Sequence, residues 1–261
     1  MSVENFAGEV IIRAWDRDAV RVQARHATRA RINIRTVATG IRLTSSGERG
    51  PVGSIDYEIS APAWMPIKVD GTFNFVTIEG SQAEVAVDTN RGDVVIKGGN
   101  GVLAKSVEGA ITVEGARGKI NVSSINQGIA ISGASGEILA ETVNGPISLS
   151  GMEATSVEAS TINGNITYEG SAASAGRYRL TTHNGTIVVG VPEAASATFY
   201  VRTYNGGFNS ALPVKGDTNV RGGRRAMFTL GGGSAEFELE SFSGSIRLRK
   251  PGAVPAAKTK E

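Results

Sequence analysis

The sequence contains no cysteine, which excludes disulfides, thiolate metal sites and cysteine nucleophiles. No apolar run approaches the length of roughly 18 residues that a membrane-spanning helix needs. Proline is scarce, with eight residues in 261, so the composition is not that of a proline- and glycine-rich disordered chain. The net charge is only +2, so no nucleic acid is expected as a partner.

Glycine, in contrast, is abundant. The chain has 34 glycines in 261 residues, well above the usual level of about 7%. They alternate with short runs of β-branched residues, a composition typical of many tight turns between short strands.

A strand–turn–strand unit recurs from about residue 85 to residue 248. It reads apolar-x-apolar-x-Thr/Ser-x-x-Gly-x-apolar-x-apolar, often with Asn before the glycine. Apolar residues alternate on both sides of the turn, which indicates strands with one buried face. The Thr/Ser positions recur every 17 to 21 residues, and the final step of 38 residues predicts a degenerate repeat or a long loop near 210–236. These positions are residues 89, 106, 124, 142, 161, 182, 203 and 241.

Two architectures could use this unit. Asn-Gly between alternating strands is also a hairpin signal, which would give an antiparallel meander. The near-constant period instead favours parallel stacking of equivalent strands, because stacking repeats the same residue types in the same column. The sequence therefore predicts an all-β, single-stranded parallel β-solenoid (β-helix) of about 8–9 coils with an irregular, strand-rich N-terminal cap.

Each position that recurs from repeat to repeat has a structural interpretation. Glycine would supply a positive φ in the turn, and the asparagines would form hydrogen-bonded amide ladders along the stack. The Thr/Ser hydroxyl would accept hydrogen bonds from amides of its own turn.

The repeat also divides the chain. Residues 1–65 are read as a strand-rich cap or irregular first coils, 66–250 as the solenoid repeats, and 251–261 as a disordered tail. The first residues lack the basic start and apolar core of a signal peptide. The chain opens almost directly into a strand-like run at residues 9–13, which fits a chain whose leader has been removed.

The N-terminal fifty residues are rich in arginine, and we interpret these side chains as solvated outward positions that discourage edge-to-edge pairing. The alternative is a contact with phosphate or anionic lipid. The arginines are Arg13, Arg17, Arg21, Arg25, Arg29, Arg31, Arg35, Arg42 and Arg49.

No catalytic, cofactor-binding or metal-binding residues are predicted. His26 and His183 are expected to be structural or solvent-facing. Glu114 and Glu169 share a column, as do Asp88 and Glu141, but uncharged or basic residues occupy those columns in between. The nine-residue calcium-binding repeats rich in Gly-x-Asp are not matched, so no metal is expected.

The chain resembles a bacterial family known as putative adhesins, which carry a β-solenoid domain of unknown function. The resemblance rests on the serial Thr-x-Asn-Gly-x-Ile turns, the strand-like opening and the closing glycine run. It implies a location in the cell envelope or outside the cell, and it supplies no catalytic residues. The segments that carry it are 142–147, 161–166, 182–187, 8–16, 231–233 and 239–246.

Three functions follow as expectations. The first is a non-enzymatic envelope or surface module that binds a glycan, lipid or protein, in an adhesin-like or scaffolding role. The second is a glycan-active enzyme built on a β-helix. The third is a scaffold that self-associates through the solenoid ends. Trp15 and Trp64 are expected to pack in the core or cap, and an exposed tryptophan beside the arginines would indicate a binding face.

Overall fold

The computed structural model describes residues 1–26, 30–37, 40–47, 53–216, 220, 223 and 225–252. Regular secondary structure in these residues is entirely β-strand, and 23 strands join into one long mixed sheet. The prediction of an all-β chain is therefore confirmed. Arg29, Arg49 and residues 253–261 of the predicted tail lie outside the described residues.

The strands are distributed along the whole described chain. The N-terminal strands are β1 (Ser2–Trp15), β2 (Arg21–His26), β3 (Ala30–Val37), β4 (Gly40–Gly47), β5 (Ile55–Pro62) and β6 (Ile67–Ser81). The middle strands are β7 (Val85–Arg91), β8 (Val94–Gly98), β9 (Asn100–Glu108), β10 (Ile111–Glu114), β11 (Arg117–Ser124), β12 (Ile129–Ser132), β13 (Ser135–Asn144), β14 (Ile147–Asn163), β15 (Ile166–Gly170), β16 (Arg177–Asn184) and β17 (Ile187–Gly190). The C-terminal strands are β18 (Ala197–Asn205), β19 (Phe208–Ser210), β20 (Lys215–Gly216), β21 (Arg225–Leu230), β22 (Ala235–Ser243) and β23 (Ile246–Arg249).

Each repeat contributes one strand before its turn and one strand after it, and these form two rows. In the first row, β7, β9, β11 and β13 pair in parallel, and in the second row β8, β10 and β12 do the same. The long strand β14 passes from the second row into the first. Neighbouring repeats are thus parallel over residues 85–190, which excludes the hairpin meander and gives a β-helix-like arrangement.

The core lies between the rows. Inward residues alternate with outward ones, as in β7, where Val85, Val87 and Thr89 are buried and Asp88 is exposed. Equivalent inward residues stack on each other from repeat to repeat at the spacing of neighbouring strands, about 4.8 Å. The result is one continuous apolar core that runs from Met1 to Leu248.

At the C-terminal end, the order of strands in space differs from the order in the chain. The repeat of Ser241 lies between those of Thr182 and Thr203, because β22 pairs in parallel with β16 on one side and β18 on the other. Phe237 stacks between Tyr178 and Phe199, with ring centroids 4.2 and 4.9 Å apart. The predicted gap near 210–236 holds β20 and β21, and β21 covers β18 in antiparallel pairing.

The N-terminal end repeats this arrangement. Strand β1 pairs in parallel with β6 on one side and with β4 and β5 on the other. The antiparallel strands β2 and β3 then cover β5 and β4. The first strand, β1, and the last two strands, β22 and β23, are therefore each paired on two sides, which satisfies backbone groups that a terminal edge strand would leave open.

The turn glycines serve a different purpose from the one predicted. Gly92 does have a positive φ of 113°, but Gly145, Gly164 and Gly185 do not. A Cβ at Gly164 would instead lie 1.9 Å from the carbonyl oxygen of Gly145 in the neighbouring repeat. Glycine is needed at these turns because stacked backbones approach too closely for any side chain.

The Thr/Ser hydroxyls also bond differently. Six of the eight donate to a turn carbonyl of the neighbouring repeat, as Thr161 does to Gly145 O at 3.1 Å and Thr182 to Gly164 O at 2.9 Å. Thr89 instead donates to Arg91 O of its own turn at 3.0 Å. The prediction that they accept from their own turns is wrong for these residues. Each of these six hydroxyls links two repeats, and its burial is compensated by the hydrogen bond.

Candidate binding face

The outward side of the first row carries a row of mostly apolar residues that are exposed or half-buried. They occupy the position after each Thr/Ser, so they follow each other in space at about 4.8 Å spacing. We call this row the ridge. In spatial order its residues are Val107, Ile125, Val143, Ile162, His183, Phe242 and Tyr204.

Several ridge side chains are exposed although they are large and apolar. Ile125 is 44% exposed, Ile162 49% and Phe242 41%. Single exposed apolar residues are common on protein surfaces, but a contiguous apolar strip marks an interaction site more often. The ridge spans seven repeats and is about 29 Å long, which makes it the strongest candidate for a functional face.

The C-terminal end of the ridge is aromatic. The rings of His183 and Phe242 stack in parallel with centroids 4.7 Å apart, and Tyr204 lies 5.1 Å from Phe242. The guanidinium of Arg202 covers Tyr204 at 4.7 Å. These residues come together only because β22 inserts between β16 and β18. His183, Phe242 and Tyr204 line an open depression of about 490 Å³ together with Glu240 and the neighbouring threonines.

One flank of the ridge is an amide ladder. Asn144 donates to Asn126 at 3.2 Å, Asn163 to Asn144 at 2.9 Å, and Asn184 to Asn163 at 2.8 Å, all between side chains. The predicted ladder is confirmed. It holds the corner beside the ridge in a fixed geometry, and its outer amide groups remain exposed.

The other flank is a mixed polar column two residues before the ridge position. It begins and ends with a pair of opposite charges, and its middle is mostly neutral. In spatial order it reads Asp88, Lys105, Ser123, Glu141, Ser160, Thr181, Glu240 and Arg202. Within the chain, Arg202 lies 3.9 Å from Glu240.

The carboxylates considered from the sequence do not form close pairs. The register places Glu114 and Glu169 three repeats apart, as it does Asp88 and Glu141. Three repeats correspond to about 14 Å, whereas glycosidase carboxylates lie about 5–9.5 Å apart. Glu169 is also bonded to Arg249 at 2.7 Å.

The histidines and tryptophans lie at or near the surface. His26 and His183 are both exposed, the latter within the ridge. Trp15 is half-buried and donates to Ala19 O at 2.8 Å, so it packs locally as expected. Trp64 is 62% exposed, so the expectation that it packs in the core is wrong.

The described arginines of the N-terminal region lie outward, as predicted. Several already have acidic or aromatic partners: Arg13 bonds to Glu58 at 2.7 Å, and Arg42 bonds to Glu4. Arg17 lies over the ring of Trp15. The charges of Arg13 and Arg42 are thus partly neutralised within the chain.

The largest pKa shift belongs to a core residue. Burial raises the pKa of Tyr168 well above its usual value, and the proximity of Tyr178 acts in the same direction. Its hydroxyl donates to Ser171 O at 2.6 Å. A perturbed pKa indicates function when the group lies in a cleft, and Tyr168 is fully buried in the core.

Two further absences hold for the described parts of the chain. There, no group of three or more His, Asp or Glu residues is arranged to hold a metal ion. Across the same residues, no helix is long and apolar enough to cross a membrane.

No family model matches the sequence. No curated protein matches it either. Two crystal structures are similar. One is a putative adhesin from Bacteroides fragilis, with 13% identity, a TM-score of 0.46, and coverage of 95% of this chain and 90% of that chain. The other is a putative cell adhesion protein from Clostridium sporogenes, with 11% identity, a TM-score of 0.27, and coverage of 95% and 91%. Both descriptions agree with the family resemblance noted from the sequence.

Proposed function

We propose that this protein is a non-enzymatic binding or scaffolding module, adhesin-like in role, built as a single-stranded parallel β-solenoid of about 8–9 coils. The parallel pairing of equivalent residues in successive repeats supports the solenoid. The family resemblance of the sequence supports a place in the cell envelope or at the cell surface.

The single observation that carries the proposal is the ridge. It exposes a contiguous apolar strip on a face whose backbone is fixed by the Asn ladder and by the buried hydroxyls beneath it. Such a rigid strip loses little entropy when a partner binds, because few of its groups must be ordered. Exposure of this strip to water has a cost in free energy that a partner would remove.

The non-enzymatic part of the proposal rests on the carboxylate spacing. The two acidic pairs that shared columns in the sequence are separated by about 14 Å, which is too far for the paired chemistry of glycoside hydrolysis. The glycan-active alternative therefore lacks a supporting observation at these residues.

The test measures binding of the labelled chain to isolated envelope material. Purified cell-wall sacculi and vesicles of phosphatidylglycerol with phosphatidylethanolamine are incubated with wild type and with the double variant Ile125→Ser and Ile162→Ser. The matched control is Met227→Ser, because Met227 is also an exposed apolar residue, at 56%, but lies outside the ridge. We expect binding to at least one material that the ridge variant loses and the control retains.

Two results would contradict this proposal. The first is equal binding by wild type and the ridge variant. The second is turnover of any member of a polysaccharide panel that disappears in Glu114→Gln or Glu141→Gln, since that would make the chain an enzyme.

A further inference from the structure

We propose that the partner of the ridge is a second copy of this chain, bound face to face and antiparallel around a two-fold axis. The inference rests on the proposed binding role of the ridge and names the partner for it. It differs from self-association through the solenoid ends, because the contact lies along the side of the stack.

The repeat distance selects the kind of partner. Ridge side chains recur at about 4.8 Å, the distance between hydrogen-bonded strands. An extended peptide lying along the ridge would present its same-face side chains about 6.8 Å apart, so it would fall out of step within a few residues. A second ridge has the same period and stays in step over its whole length.

A glycan is a poorer match for the aromatic end. Sugar rings stack on the flat faces of aromatic side chains. Here the faces of His183 and Phe242 are stacked on each other, and Arg202 covers Tyr204. The rings therefore present their edges outward, which suits an apolar contact with another ridge.

A membrane surface is also disfavoured by charge. Anionic lipid would require a cationic flank. The polar column beside the ridge carries three acids and two bases, namely Asp88, Glu141 and Glu240 with Lys105 and Arg202.

The charges of this column are self-complementary under a two-fold axis. Eight repeats contribute to the face, so the axis passes between the fourth and the fifth, at Glu141 and Ser160. It places Asp88 of one copy opposite Arg202 of the other, and Lys105 opposite Glu240. Because a two-fold contact is isologous, each pairing occurs twice, which gives four intermolecular ion pairs.

The ridge itself is complementary under the same axis. Val143 meets Ile162 at the centre, Ile125 meets His183, and Val107 meets Phe242. Tyr204, at the end of the ridge, lies opposite Asn90, which follows Thr89 in the first repeat of the face. The small aliphatic end of one ridge thus lies against the aromatic end of the other.

The amide flank is also compatible with this arrangement. Asn144 lies opposite Asn163, and Asn126 lies opposite Asn184. Their exposed amides both donate and accept hydrogen bonds, so each can pair with its counterpart.

The size of the face sets the strength of the dimer. Eight repeats give a length of about 34 Å. The outer two columns are three residues apart along the strand, and one residue of margin on each side brings the width to about 17 Å. Each copy therefore contributes about 600 Å². A stable interface usually buries about 800 Å² per partner. The dimer is therefore expected to be weak and to form in the micromolar range rather than to be permanent.

The test uses sedimentation velocity of the full chain from about 1 to 500 µM, a range that brackets a weak dimer. Wild type is expected to shift from monomer to dimer across this range. Ile162→Asp places a charge at the centre of the apolar contact and should leave only monomer. The control Arg247→Glu changes an exposed cation on β23, on the other side of the turn, and should dimerise as wild type.

A charge-reversal experiment distinguishes this interface from any other contact between two copies. Lys105→Glu and Glu240→Lys each place like charges opposite one another at two symmetric points, so each is expected to weaken dimerisation at least about tenfold. Mixed together, the two variants form a heterodimer in which both points are again attractive. The mixture should therefore recover dimerisation to within about threefold of wild type.

Three outcomes overturn the inference. One is a wild-type chain that stays monomeric at every concentration; if its ridge still binds envelope material, the proposed function stands without the dimer. Another is a mixture of Lys105→Glu and Glu240→Lys that associates no better than either variant alone. The third is a dimer abolished by Ile34→Asp, an exposed residue of the end strand β3, and unaffected by Ile162→Asp, since that contact would be end to end.

Discussion

Substitution of one turn glycine distinguishes two explanations for the glycine column. Gly164 has no positive φ, so its backbone is accessible to alanine. If conformational freedom were the only issue, Gly164→Ala would stabilise the fold by about 0.4–1 kcal/mol, because the unfolded chain loses entropy. If close stacking is the reason for glycine, the same change must destabilise it.

The structure gives the size of the second effect. The new Cβ would lie 1.9 Å from Gly145 O, where contacts under 3.0 Å are essentially never found. Relief of this overlap requires neighbouring repeats to separate by more than 1 Å, which costs about 1–3 kcal/mol as an overpacked core does. The same shift would stretch the bonds from Gly145 N to Asn163 O at 3.0 Å and from the Thr161 hydroxyl to Gly145 O at 3.1 Å. Each contributes about 1 kcal/mol, so the total loss is about 3–5 kcal/mol.

The measurement is urea unfolding followed by circular dichroism, with thermal melting as a second readout. For a chain of this size, each kcal/mol lowers the melting temperature by about 2–4 °C, so a fall of about 6–20 °C is expected. Gly207→Ala is the matched control, because a Cβ there meets no atom within 4 Å and its φ is not positive. A Gly164→Ala variant as stable as wild type would refute the stacking explanation.

The remaining predictions concern the hydroxyl column, the amide ladder and the buried phenol. Thr161→Val leaves Gly145 O without the hydroxyl donor at 3.1 Å and should lower the free energy of unfolding in urea by about 1–3 kcal/mol. The control is Thr155→Val, which removes a 3.4 Å hydroxyl bond at an exposed site and should change stability by less than about 0.5 kcal/mol. Asn163→Leu removes two ladder bonds of 2.9 and 2.8 Å and should lower stability by about 1–2 kcal/mol, and an unchanged unfolding midpoint would contradict the ladder's role. Because burial raises the pKa of Tyr168, the stability that depends on its neutral form is complete below the unfolded pKa of about 10 and is lost as the pH rises. Tyr168→Phe should therefore reduce the alkaline loss of stability, which a titration of the melting temperature from pH 8 to pH 12 would measure.

The repeat could be predicted because stacking places equivalent residues in the same surroundings, which favour the same type of side chain. Thr142, Thr161 and Thr182 share a column in the sequence, and in space they lie side by side in that order. The asparagines before the glycines were predictable for the same reason, since an amide ladder needs an amide in each successive repeat. What the pattern could not predict was the reason for glycine, because sequence spacing reports neither φ nor the distance between backbones.

The repeat pattern could not predict the spatial order of the last repeats either. A column records which residues are equivalent but not which repeats are adjacent, so chain order alone puts Ser241 after Thr203, whereas in space it lies before it. One signal was present: Tyr178, Phe199 and Phe237 are the aromatic members of a single inward column that is otherwise aliphatic. Stacked aromatic rings stabilise each other beyond their buried area, which favours keeping all three together. Insertion of β22 places Phe237 between the other two.

The same insertion determines the candidate face. If β22 followed β18 in space as it does in the chain, Tyr204 would contact His183, and Phe242 would lie outermost. The charged column would then end in Arg202 followed by Glu240, and the two-fold axis would place Asp88 opposite Glu240 and Lys105 opposite Arg202. Both contacts would be repulsive. The inserted order makes both attractive, so the topology that protects the C-terminal strand edge also makes the face complementary to itself.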